Sequence, residues 1–319
     1  MPEIIAVDFG GTNIRAAYFP TPEPPPATQI KIPTKADEGP EAVLGRLVEA
    51  IESQYPDRYH DLRIGIASPG PLNPMEGIIL MAPNLKGWRD VPLRDRVQDR
   101  FGVPVFIGND ANLAALGEWR FGAGRGTQHM IYLTLSTGIG GGVIVDGRLL
   151  LGWRGLAAEL GHLTLDPQGP LCGCGQRGHA EALAAGPAIA RRAIERLHSG
   201  EPSSLASELE RHGTLTARQV GDAARHGDDL AIQTIAEAGA WIGLLLADLA
   251  HAFNPQIFVL GGGVSQIGAL LFDPIEQSLE RHVMDPAYIE GLRILPAELG
   301  DDAGLVGAMA LASLKELSA

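Results

Sequence analysis

The sequence predicts an α/β protein built as two domains. Two observations carry the fold class: short runs rich in Ile and Val alternate with longer segments of helical period, and three glycine clusters each follow directly on a strand-like run. Length carries the domain count, because 319 residues exceed what one core usually holds. At 45% apolar residues the chain has enough Val, Ile, Leu and Ala to bury substantial cores, which excludes disorder. The 41 glycines follow no period of three, which excludes collagen, and 2 cysteines are too few for a secreted disulfide scaffold.

Charge narrows the function classes. The net charge is −13, and no long basic run interrupts it, so the phosphate backbone of nucleic acid is a poor partner. The opening residues, MPEIIAVDFGG, lack a basic start and place Asp8 where a signal peptide would be apolar. The most apolar helical stretch, Ala231 to Phe253, contains Glu237, Asp248 and His251, which reads as a buried core helix and not as a membrane span. A soluble, cytoplasmic protein with neither nucleic acid nor membrane as partner is expected.

In chain order, Ile4–Phe9 and Ile14–Phe19 are apolar runs on either side of Gly10-Gly11-Thr12-Asn13, which reads as a hairpin. The segment PTPEPPP, Pro20 to Pro26, cannot pair in a sheet because Pro has no N–H to donate, and forms a loop. Further strands are expected at Arg63–Ala67, Val103–Ile107, Met130–Ser136, Gly142–Val145, Gln256–Leu260 and Gly291–Leu295. Helical periodicity predicts helices over Pro40–Gln54, Ala111–Phe121, Ala188–His198, Ala217–Arg225, Asp228–Ala252, Ile267–His282 and Ala303–Leu317. Helices crowd between Ala180 and His282, so the second half is expected to form the larger domain.

The glycine clusters gain meaning from placement. DFGGTN follows IIAV, STGIGGG follows MIYLTL, and GGGVS follows IFVL. Glycine lets backbone N–H groups approach a phosphate closely and permits tight turns, while Thr12, Asn13, Ser136 and Thr137 add hydroxyl or amide contacts. Neither a GxxxxGK[ST] loop nor a GxGxxG opening a helix after the first strand is present. Asp8 closes the first strand beside such a turn, and a lone carboxylate there suits Mg²⁺, which keeps most of its waters.

Both cysteines fall in one stretch. His162, Cys172, Cys174 and His179 offer two imidazoles and two thiolates within 18 residues, a donor set that suits structural Zn²⁺. A Cys172–Cys174 disulfide would be a strained bridge in a reducing compartment. Gly108-Asn109-Asp110 ends the run VPVFI and precedes a helix; by pattern alone, Asp110 is a helix N-cap.

Asp8-Phe9-Gly10-Gly11-Thr12-Asn13, the glycine clusters at 138–142 and 261–263, and a register of 28 residues from Leu135 through Gly138, Gly140, Gly142 and Gly152 to Gly161-His162 resemble the sugar kinases of the ROK family, within the actin-like ATPase superfamily. With flanking motifs the resemblance covers nearly the whole chain. It implies a two-domain actin-like ATPase (ribonuclease H-like) fold with an interdomain cleft. Residues 1–108 with 300–319 would form a smaller domain, and 109–299 a larger one carrying the zinc segment. Activity would be the ATP- and Mg²⁺-dependent phosphorylation of glucose to glucose 6-phosphate.

The resemblance also assigns residues. Asp110 matches the family's catalytic base, and Asn84, Asn109, Glu159, His162 and Glu181 match sugar contacts. ATP would be held by Asp8, Gly10, Gly11, Thr12, Asn13, Thr137, Gly138, Gly261, Gly262 and Gly263, with Mg²⁺ at Asp8. One departure stands out: the family pattern CxCGxxGCxE reads here as CGCGQRGHAE, so His179 replaces the third cysteine. His162 would give one ring nitrogen to zinc and the other to sugar. Related kinases act on N-acetylmannosamine, N-acetylglucosamine or fructose, and the PNLKGW stretch, Pro83 to Trp88, favours glucose. Sensors without catalysis would lack Asp110 or the glycine clusters. Repressors of the family carry a winged helix-turn-helix ahead of a first strand that here begins by Ile4. A homodimer or homotetramer is implied.

Overall fold

Alternation of burial along the first strand already dictates a sheet covered on both faces. In the computed structural model, which describes residues 1–82 and 84–314, Ile5, Val7 and Phe9 of β1 (Glu3–Phe9) point into one core. Ile4 and Ala6 point into another. A strand buried on both sides reads as one continuous apolar run, the signature of helix-covered α/β sheets.

The chain divides into two compact units: Met1–Gln128, Gly142–Ala158 and Glu298–Ala319 make the first, and His129–Gly141 with Glu159–Ala297 the second. In the first, β1 pairs antiparallel with β2 (Asn13–Phe19), and β2 with β3 (Thr28–Pro33). Helix α1 (Pro40–Glu52) follows, then β4 (Leu62–Ser68), parallel to β1. The short strands β5 (Leu72–Asn73), β6 (Ile78–Met81) and β7 (Arg89–Val91) form a separate three-stranded sheet. Helix α2 (Leu93–Phe101) leads to β8 (Val105–Asn109), parallel to β4, and α3 (Asp110–Phe121). The main sheet runs β3-β2-β1-β4-β8. Register sets Asp8 beside Ala67 and Ser68 beside Asn109, so Asp8 and Asn109 lie along the same carboxyl edge, where α/β sheets bind ligands.

The chain then contributes β9 (Met130–Leu135) and β10 (Ile139–Val145), whose last four residues return to the first unit with β11 (Arg148–Leu149). In the second unit follow α4 (Ala180–Ala184), α5 (Gly186–His198), α6 (Leu205–His212), α7 (Ala217–Arg225), α8 (Asp229–Phe253), β12 (Ile257–Gly261), α9 (Ala269–His282) and β13 (Arg293–Pro296). Strand β12 lies parallel between β9 and β13. Helix α8 is long and apolar enough to cross a membrane, yet it is mostly buried against protein.

Helix α10 (Ala303–Ser313) returns to the first unit and packs on β1, β4 and α3. It is apolar on all sides, and the contact is close: a β-carbon at Gly307 would lie 1.7 Å from the Leu113 carbonyl oxygen. Residues 315–317, expected to extend this helix, lie outside the described residues.

The eight expected strands and seven expected helices are all present, with ends shifted by a few residues. Strand β8 is shifted by two residues at both ends, running from Val105 to Asn109, and so includes Asn109. Unforeseen elements are those whose apolar pattern is thin. In β3 every residue is at least partly exposed, and α2 buries only Leu93 and Val97 among charged neighbours. Neither offers a periodic apolar stripe to read.

Candidate active site

In the first unit the β1–β2 turn is shaped by its own backbone. Gly10 N–H donates to the Asn13 carbonyl at 2.9 Å. Buried Thr34 braces the turn, donating its N–H to the Thr12 carbonyl at 2.9 Å and its hydroxyl to the Gly10 carbonyl at 2.6 Å. Asp8, Gly10, Gly11, Thr12 and Asn13, all expected nucleotide contacts, line one cavity of about 790 Å³. Arg15, Lys31, Asp301 and Asp302 join them there; they went unforeseen because single charges on edge strands and turns read as solvated surface.

Charge in this cavity is balanced locally. Burial pushes the Asp8 carboxyl up, Arg15 at 4.0 Å pulls it down, and Asp301 and Asp302 raise it again. Arg15 also donates to the Asp301 carbonyl and the Asp302 carboxylate. A part-buried carboxylate with two more nearby and phosphate-sized space in front suits a divalent cation.

The strand-to-helix junction at 109–110 resolves the reading of Asp110 as an N-cap. Asn109 is the cap: its Oδ1 accepts the N–H of Ala111 at 3.0 Å and of Asn112 at 3.1 Å. Asp110 is the first helical residue, exposed, and its Oδ1 accepts the Ala111 N–H at 2.8 Å. Capping occupies the oxygen of Asn109 and leaves its Nδ2 group to donate. Asn84 is exposed and borders the β1–β2 turn, since a β-carbon at Gly11 would lie 3.0 Å from the Asn84 β-carbon.

In the second unit Thr137 and Gly263 line a second cavity of about 700 Å³. Its walls are largely apolar, from Pro187 and Ala190 on α5, Leu215 before α7, and Val264 and Ile267 after β12; Arg218 and Arg225 also reach it. Apolar helix residues carry no motif, so the sequence reads them as core. Gly262 has φ +83° and a β-carbon there would meet the Leu135 carbonyl oxygen at 2.4 Å, so only glycine allows the two turns to approach. Gly261 is buried as the last residue of β12. Gly138 closes the other turn by accepting the Ser136 N–H at 2.9 Å. Beside it, Glu181 accepts the Ile139 N–H at 3.2 Å.

His162, Cys172, Cys174 and His179 converge: their ligand atoms all lie within 4.8 Å of one another. Cys172 Sγ is 3.7 Å from His162 Nδ1, and Cys174 Sγ is 3.3 Å from His179 Nδ1. Tetrahedral zinc with its usual bond lengths separates ligands by about 3.4–3.8 Å, so the donor set and its spacing fit. Both cysteines are free thiols, and burial pushes the Cys172 thiol up to about 11, against a Cys174 backbone hydrogen bond that lowers it and with the Cys174 and Glu181 side chains adding to the rise. A cation in this site would favour the thiolate. Cys172 Sγ donates to Glu181 Oε1 at 3.4 Å, so Glu181 touches both the cluster and the Gly138 turn. Glu159 is exposed and its carbonyl accepts the His162 N–H at 3.1 Å, so the two share one short turn.

A two-unit α/β fold with a glycine turn after β1, a carboxylate at the edge of that sheet and a Cys/His cluster defines a class. The chain belongs to the ROK family, whose pattern matches residues 4–315. Its fold is that of the actin-like ATPases. Among individual relatives, the glucokinase of Halalkalibacterium halodurans is 37% identical over 312 residues, covering 95% of this chain and 92% of that protein. The glucokinase of Thermotoga maritima is also 37% identical, covering 97% and 96%. The crystal structure of a ROK family glucokinase from Streptomyces griseus, in complex with glucose and AMPPNP, superposes with a TM-score of 0.83 at 38% identity. That superposition covers 97% of this chain and 99% of the other.

Proposed function

We propose that the protein is a glucokinase that transfers the γ-phosphoryl group of ATP to glucose, giving glucose 6-phosphate and ADP. One observation carries the reading: Asp110 follows β8 at the same carboxyl edge of the sheet that carries Asp8, next to last in β1, and the glycine turn after it. Phosphoryl transfer needs an acceptor hydroxyl aligned with a bound phosphate, and little else beyond charge stabilisation.

In this reading the glucose 6-hydroxyl attacks the γ-phosphorus as the bond to the β-phosphate oxygen breaks. Asp110 takes the hydroxyl proton. Asn84, Asn109, Glu159, His162 and Glu181 bind the other hydroxyls. Asp8, Gly10, Gly11, Thr12 and Asn13 hold phosphates, while Thr137, Gly138, Gly261, Gly262 and Gly263 form the nucleotide loops of the second unit. Mg²⁺ held at Asp8 supplies neutralisation of the phosphate charge. Zn²⁺ held by His162, Cys172, Cys174 and His179 is structural and orders the turn that bears Glu159 and His162. The protein works in the cytoplasm as a homodimer or homotetramer.

A coupled assay with ATP and Mg²⁺ across glucose, N-acetylglucosamine, N-acetylmannosamine, mannose and fructose tests this. Glucose is expected to give the highest kcat/KM, and no turnover on any of them defeats the proposal. Asp110→Asn is expected to lower kcat by about 10²–10⁴, the usual worth of a general base. Wild-type turnover in that variant would remove Asp110 from its role.

A further inference from the structure

Glu118 lies in the last turn of α3 with no exposed surface, yet it has no charged partner among the described residues. Its carboxylate instead accepts three backbone N–H groups: Ala123 at 2.9 Å, Glu298 at 3.2 Å and Leu299 at 2.7 Å. Two of those donors begin the segment that turns through Gly300–Asp302 into α10. That turn carries the Asp301 carbonyl and the Asp302 carboxylate that receive the Arg15 guanidinium, 4.0 Å from Asp8. Just beyond it, a β-carbon at Gly304 would lie 3.3 Å from the Asp8 carboxylate.

We infer that Glu118 is a positioning residue for the metal-binding end of the phosphate cavity. It clamps Glu298 and Leu299, and through Asp302 and Arg15 sets the charge facing Asp8. Close packing of α10 on α3 already secures the helix by apolar contact, so holding it there does not require a buried carboxylate, which is costly to desolvate. What the carboxylate adds is a fixed path for the connecting turn. Because α3 begins at Asp110, one rigid helix of about 18 Å then ties the position of the proton acceptor to that of the metal end. The inference rests on reading Asp8 as the Mg²⁺ ligand.

The test is the Mg²⁺ dependence of glucose phosphorylation by the full chain, with Glu118→Gln, Asp302→Asn, their double variant and Asp8→Asn. Glu118→Gln is expected to raise the Mg²⁺ half-saturation about tenfold, the scale of one lost hydrogen bond to a charged group, with the KM for glucose unchanged. Asp302→Asn, at an exposed position, is expected to do the same, and the double variant is expected to be no worse than the poorer single one, because both act on one path. Glu118→Gln with a lowered melting temperature but wild-type Mg²⁺ half-saturation overturns the proposal, as do single effects that multiply. Should Glu118→Gln not fold, Glu118→Asp and Asp302→Asn carry the test, and wild-type Mg²⁺ dependence in both overturns it. An Asp8→Asn protein with unaltered Mg²⁺ dependence instead overturns the reading of Asp8 itself.

Discussion

Asn109 and His179 each do something that residue type alone understates. Asn109 spends its side-chain oxygen on two helix amides and leaves its Nδ2 group to donate, so under the proposed function one side chain would serve both the helix start and a sugar hydroxyl. Asp caps as well as Asn and adds a favourable negative charge at the helix N-terminus. Asn109→Asp should therefore keep wild-type thermal stability while raising the KM for glucose. Asn109→Ala should raise KM and also cost about 1 kcal/mol in denaturant unfolding. Equal stability of the two variants would show that the cap contributes nothing. His179 stands 3.3 Å from Cys174 and completes a group of four side chains whose ligand atoms could hold a metal ion. Metal analysis of purified protein is expected to find one zinc per chain, and none in His179→Ala; His179→Cys should retain it. Protein with no bound metal would remove zinc from the account.

Among the elements, α8 shows how a helix start can be secured by charge. Asp228 caps it, accepting the Ala231 N–H at 3.0 Å, and also receives the Ser203 hydroxyl at 2.9 Å and the Ser204 N–H and hydroxyl at 2.7 Å. Burial pushes the Asp228 carboxyl up, but these hydrogen bonds outweigh it and leave it below the usual 3.8. A carboxyl lowered by folding adds stability that is present above the unfolded value and lost as pH falls through the folded one. Asp228→Ala should cost about 1 kcal/mol at neutral pH, and the gap to wild type should narrow below pH 3.8. A gap that stays constant into acid would assign the effect to packing. The helix itself was legible as a long apolar stretch, and so were its neighbours with strong periodicity. Strand β3 and helix α2 were not, because tertiary contacts hold them through few apolar side chains.

At the level of the whole molecule, motifs revealed the turn residues that line one cavity and the four Cys/His side chains that converge, since such clusters need rare types at set spacing. The apolar walls around Thr137 and Gly263 were illegible, because Ala190, Leu215 and Ile267 look like any helix core until folding leaves a cavity beside them. Arg15 and Asp302 were hidden for another reason: 287 positions separate them, and nothing local announces the pairing. Ligands that bind only the folded chain must stabilise it by mass action. Glucose, or a non-hydrolysable ATP analogue, at 100 times its Kd should add about 2.7 kcal/mol and raise the melting temperature, whereas fructose at that concentration should do less. An unchanged melting temperature with glucose would argue against a sugar site.

The late return of α10 to the first unit has a consequence for how the protein is made. That helix covers Ile4, Ala6 and Ala67 on one face of the first sheet, yet 235 positions separate Ser68, the end of β4, from Ala303, where α10 begins. At the usual pace of translation the ribosome needs on the order of tens of seconds to bridge that distance. For that interval this face of the sheet lacks its α10 cover on the nascent chain, and Ile4 and Ala6 there stay only partly packed.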